Sequence, residues 1–142
     1  DPYVIYLRNE LGENLKSITG TAQYEVNKLS AELGNADVEL VRKELGTEFD
    51  MIVHEPDGIL EIGQAGHSKA SGIERLCASL GIAKEDTYAF GDSANDVEML
   101  EFVAHGIAMG NGTDVAKNAA EFVTTDIHKD GIWNGLKHYG LI

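Results

Sequence analysis

With 142 residues, 43% apolar and 25% charged, the chain has the makings of one globular domain or parts of two, which excludes collagenous, low-complexity and disordered classes. A net charge of −13 excludes a nucleic-acid or anionic-membrane partner, because both need clustered Lys and Arg against phosphate. No apolar run approaches the ~18 residues of a membrane span, and the single cysteine, Cys77, leaves no internal disulfide or Cys-based zinc site, so a reducing cytoplasm is the expected location.

The chain opens at Asp1-Pro2 without a Met and enters the strand-like run Tyr3–Leu7, so the expectation is a piece of a longer protein. Ala22, Val26, Leu29 and Leu33 recur at helical spacing, and Gly34 supplies a stop; a helix is expected over 21–33. A second is expected over 37–45, with Val38, Val41 and Leu45 on one face and Gly46 closing it. Phe49–His54 and Ile59–Ile62 flank Glu55-Pro-Asp-Gly58, a strong turn sequence, and read as an antiparallel hairpin. Residues 1–66 are thus a small α/β unit.

From about Gly66 the pattern becomes strict alternation. Ser71-Gly-Ile-Glu74 fits a capping box, followed by Ile73, Leu76, Cys77 and Leu80 at helical spacing and by Gly81. Strands are expected over 87–90, 106–109 and 122–125. Helices are expected over 96–102, over 113–120 with Thr113 as cap, and over 130–139. Such alternation predicts parallel strands joined by right-handed crossovers, with ligands bound beyond the strands' carboxyl ends. Gly91-Asp92, Gly110-Asn-Gly-Thr113 and Thr125-Asp126 all fall at that edge.

Asp92 and Asp96 stand four residues apart with Asn95 between them. One helix cap needs one such side chain; several oxygen ligands at one turn, without His or Cys, suit Mg²⁺. Lys69 lies at a helix mouth, where the dipole disfavours a cation unless an anion is interposed. Gly110-Asn-Gly-Thr113 reads as a strand-to-helix turn and is not a Walker A loop, since no Gly-Lys-Ser/Thr follows. The five histidines, at 54, 67, 105, 128 and 138, are dispersed and read as structural or surface groups. No GxSxG elbow occurs.

Taken in order, Ser68-Lys69, "AFGDSANDVEML", "GIAMGNGTDVAKNAAEFVT" and "DGIWNGL" resemble the C-terminal half of the haloacid dehalogenase-like hydrolases, nearest the Cof-type phosphatases with an α/β cap. The resemblance covers about residues 59–142 and implies a Rossmann-like core portion over 67–142, preceded by part of a cap over 1–66. It further implies a Mg²⁺-dependent phosphomonoesterase acting on a small phosphorylated metabolite through an aspartyl-phosphate. In that reading Lys69 neutralises the nucleophile and phosphoryl oxygens, Asp92 and Asp96 hold Mg²⁺ directly or through water, and Asn95 supports the metal and phosphate environment. The family's nucleophile lies in a DxDG motif, and these residues contain no Asp-x-Asp. The chain alone is therefore expected to be inactive, and to dimerise or associate with an N-terminal half, because a sheet without its central strand exposes an edge. A non-catalytic binding module is the competing expectation. The similar hinge of cation-pumping P-type ATPases is set aside for want of membrane spans and a DKTGT segment.

Overall fold

The computed structural model describes residues 26–34, 37–54 and 58–142. Tyr3–Leu7, residues 21–25 of the first expected helix and residues 55–57 of the expected turn lie outside the described residues. Lys28–Glu32 forms β1, Val38–Leu45 α1, Phe49–His54 β2 and Ile59–Gln64 β3, the strands making an antiparallel sheet in the order β1-β3-β2. The expected hairpin is present, and Gly58 takes the left-handed conformation its turn requires (φ 63°). In register, Met51 faces Ile62 and Val53 faces Leu60, which gathers these four on one side of the sheet. The other side carries Lys28, Glu61 and His54; Lys28 Nζ lies 2.7 Å and His54 Nε2 3.3 Å from the Glu61 carboxylate.

The helix expected over 21–33 is not what residues 28–32 form. They pair as β1 along β3, from Lys28 opposite Gly63 to Glu32 opposite Ile59. An unpaired β3 edge leaves backbone donors and acceptors unmatched, and this pairing satisfies them, outweighing the weak helical preference of a segment whose side chains are all exposed. α1 forms as expected: Asp37 Oδ1 accepts from Glu39 N and Leu40 N, and Gly46 closes the helix.

The second sheet is parallel, β4 (Tyr88–Gly91), β5 (His105–Ala108) and β6 (Phe122–Val123) in that order. Between the strands run α2 (Lys69–Leu80), α3 (Val97–Phe102), α4 (Asp114–Ala119) and finally α5 (Gly131–His138). Small residues decide which helix comes close to which face. A Cβ on Gly106 would stand 2.3 Å from the Leu100 carbonyl oxygen, and one on Gly91 3.1 Å from the Leu100 side chain, so α3 lies directly on β4 and β5. On the opposite face Gly135 lets α5 rest on the Phe90 ring. Leu100, Val103, Ile107, Ala108, Met109 and Ala116 are buried between these layers. Among the described residues no helix is long and apolar enough to cross a membrane.

Candidate active site

Three loops meet at the carboxyl ends of β4, β5 and β6. Met109 N donates to the Gly91 carbonyl oxygen (2.9 Å), Gly110 N to that of Thr125 (3.1 Å), and Thr113 N to that of Asp92 (2.8 Å). Asn111 Oδ1 accepts from Ile127 N (2.9 Å), tying the middle loop to the last. The loops that the alternating pattern places at one edge are thus joined by backbone hydrogen bonds.

Asp96 is the centre of this edge. It closes a 3-10 turn, Ala94–Asp96, that leads into α3, and it is 3% exposed. Its Oδ2 accepts from Asp92 N (2.9 Å) and Ser93 N (3.2 Å), and its Oδ1 accepts from Lys69 Nζ. Gly91 leaves room for this folding-back, because a Cβ there would sit 2.6 Å from Asp96 Cβ. Burial pushes the Asp96 carboxyl up, but the Lys69 ammonium and the two backbone N–H groups stabilise its charge and hold it below the ordinary aspartate range.

Lys69 is the first residue of α2, one turn earlier than the expected capping box. Ser68 is the N-cap: its Oγ accepts from Ser71 N (3.3 Å), and Ser71 Oγ accepts from Ser68 N (3.0 Å). The reciprocal pair is therefore Ser68 and Ser71, rather than Ser71 and Glu74; Ser71 itself has the short hydroxyl that reaches back. The anion that makes a cation tolerable at this helix mouth is the Asp96 carboxylate. With half its side chain exposed, the Lys69 ammonium keeps donors for a further anion.

Asp92 differs from Asp96. It is exposed, and its carboxylate accepts no hydrogen bond from the described residues, although its main chain is held at both N–H and C=O. Asn95, half-buried, accepts from the Ser93 hydroxyl (2.6 Å). Thr113 stands at the N-cap position of α4 but makes no capping bond through its side chain; its Oγ1 leans to the Asp92 carbonyl oxygen (3.3 Å) instead. β2 approaches the 3-10 turn, so the antiparallel sheet borders the site.

A family model of haloacid dehalogenase-like hydrolases matches residues 8–136. The chain belongs to the haloacid dehalogenase-like hydrolases. The resemblance read from its motifs is the same family. Among the family's proteins, the 5-amino-6-(5-phospho-D-ribitylamino)uracil phosphatase YitU of Bacillus subtilis is 36% identical over 138 residues, covering 94% of this chain and 47% of that one. A solved sugar phosphatase of subclass IIB superposes with a TM-score of 0.76 at 31% identity, covering 84% of this chain and 45% of its own. A phosphatase of the same superfamily from Bacteroides thetaiotaomicron covers all of this chain and 54% of its own with a TM-score of 0.81, and at 23% identity speaks for the fold alone. The chain thus spans about half the length of each of these relatives. The two solved structures share the α/β architecture expected for this chain.

Among the described residues no three His, Cys, Asp or Glu side chains gather into a metal site. Mg²⁺ does not require such a cage: it keeps several waters and is held by one or two carboxylates together with substrate phosphate. The open Asp92 carboxylate fits that requirement. Both Asp96 oxygens already accept hydrogen bonds, which suits it to reach a metal through water. Sequence reasoning singled out Lys69, Asp92, Asp96 and Asn95, and missed the grip of Gly112 and Thr113 on Asp92. The glycine pair of Gly110-Asn-Gly-Thr113 was the available signal.

Proposed function

We propose that this chain is the lysine- and metal-bearing portion of a Mg²⁺-dependent phosphomonoesterase, with residues 1–66 serving as cap and 67–142 as part of the core. The observation that carries the reading is the division of labour at one turn. Asp96 is consumed in holding Lys69, while Asp92 keeps an open carboxylate on a fixed main chain. Lys69 binds and orients an anionic phosphoryl group with its remaining donors, and Asp92 presents hard oxygen ligands at the same strand end. Mg²⁺ bound there supplies charge neutralisation for the phosphoryl oxygens, worth several kcal/mol in a strongly anionic transition state. The attacking aspartate belongs to a DxDG motif that these residues do not contain, so turnover requires residues outside this sequence.

The substrate class is a small phosphorylated metabolite. YitU is named for a phosphorylated ribityl compound and the subclass IIB neighbour for sugars, which favours a phosphate ester of a sugar or polyol. We further propose that the chain operates in the cytoplasm and associates with a second polypeptide portion or a second copy, without nucleic acid or membrane.

The deciding experiment is hydrolysis of p-nitrophenyl phosphate with Mg²⁺, comparing this chain with a version extended upstream to include the nucleophile motif. The expected outcome is turnover in the extended protein alone, abolished by Asp92→Ala and by Mg²⁺ removal. Activity in the short chain would overturn the assignment of the nucleophile to residues outside this sequence, and inactivity in both would favour the non-catalytic binding module.

A further inference from the structure

We infer that Gly112 and Thr113 are positioning residues for Asp92, a role that rests on the reading of Asp92 as the metal carboxylate. Asp92 is the exposed residue at the end of β4, where a strand end would ordinarily be free to move. Here its carbonyl oxygen accepts two donors from the next loop, Thr113 N at 2.8 Å and Thr113 Oγ1 at 3.3 Å. Its N–H is taken by Asp96 at 2.9 Å. Both main-chain polar groups of Asp92 are therefore engaged, and the carboxylate is the one group left outward.

Gly112 makes the approach possible. A Cβ on it would stand 2.9 Å from the Met109 carbonyl oxygen, 3.0 Å from that of Asp92 and 3.1 Å from Asp92 Cα. The 2.9 Å contact to backbone cannot be absorbed by turning a side chain, so something must shift there, and the two contacts to Asp92 require the gap to open by a few tenths of an ångström. Met109 is buried at the end of the central strand, whereas Asp92 is the exposed residue of its turn, and we place the displacement between residue 112 and Asp92. Glycine is required at 112 for close approach rather than for an unusual dihedral angle, since its φ is not among the positive ones.

The test uses the chain extended upstream to the nucleophile motif, with Gly112→Ala, with Thr113→Val as a gentler second variant and Gly72→Ala, where a Cβ meets nothing within 4 Å, as control. A crystal structure of Gly112→Ala should show Asp92 Cα pushed away from residue 112 with the strands in place. Mg²⁺ titration of ¹⁵N-labelled protein, followed at the Asp92 and Ser93 amides, should show affinity lowered about 10-fold or more in Gly112→Ala, the usual cost of losing a support behind a metal ligand. Thr113→Val, which keeps the N–H and loses one long hydrogen bond, should lower it about threefold, and Gly72→Ala should match the wild type. Asp92 unmoved in Gly112→Ala, or Mg²⁺ affinity equal to the wild type's in both variants, overturns the inference. Should Gly112→Ala not fold, Thr113→Val alone decides, and unchanged affinity there overturns it. A wild type whose Asp92 amide ignores Mg²⁺, or an Asp92→Asn variant that titrates like it, rejects the metal reading itself. In that case the Asp92 position in the crystal still reports whether 112 and 113 hold it.

Discussion

Asp96 carries more of this site than its place in the motif suggests. Its carboxylate accepts from Lys69 and from two backbone N–H groups while almost fully buried, so Asp96→Asn keeps the shape and loses the charge. Lys69 is half exposed and its Coulomb contribution is screened accordingly. The expected loss, mostly from hydrogen bonds to a charged acceptor, is about 1–3 kcal/mol, read from urea unfolding. The pH dependence follows in sign. A carboxyl held below its ordinary value of 3.8 contributes stability that is fully present above that value and is lost as the pH falls through the folded one. Unfolding measured from pH 6 downward should therefore show a decline below about pH 4 that is shallower in Asp96→Asn; identical acid limbs would contradict this. Lys69 and Asp92 were legible in the sequence because strand ends and helix mouths are local features. That Asp96 serves Lys69 was not legible, since the partners are 27 residues apart.

The elements depend on where side chains are absent as much as on where they pack. α3 reaches β5 because Gly106 has no Cβ to meet the Leu100 carbonyl oxygen. Gly106→Ala should cost roughly 1–3 kcal/mol through forced backbone movement, seen as a lower midpoint in thermal unfolding; an unchanged midpoint would show that α3 is free to retreat. At the opposite end of the sheet, Glu121 Oε2 accepts from Tyr139 OH (3.0 Å) and lies 2.9 Å from His105 Nδ1, which ties the end of α5 to β5. Burial and the Glu121 carboxylate push the Tyr139 phenol up to about 12. Ultraviolet titration should find one tyrosine ionising late, and Glu121→Gln should bring it back toward its ordinary 10.0. The alternation of helix and strand after Gly66 was readable because apolar periods and the glycines between them are local features of the sequence. β1 was not, because its hydrogen bonds run to β3 about 30 residues away, and sequence spacing contains no record of that partner.

For the whole molecule, the composition argues for a core and the structure shows one left partly open. Among the described residues β4 pairs with β5 alone, and Leu76 and Leu80 of α2 are 57% and 62% exposed. Light scattering on the isolated chain should find self-association, and co-expression with the upstream portion of an extended version should give a one-to-one complex; a monodisperse monomer that ignores that portion would remove the association reading. The sequence by itself determined the family, the parallel α/β order of residues 67–142, the helix-mouth placement of Lys69 and the strand-end placement of the Asp92–Asp96 turn. These are properties of contiguous motifs, caps and periodicities, which need no distant partner. Only the tertiary structure decided that 28–32 is a strand, that Asp96 is spent on Lys69, and that Gly112 and Thr113 hold Asp92. Each depends on hydrogen bonds or close approach between residues some 20 to 35 positions apart, whose energy exceeds the local preferences that a sequence displays.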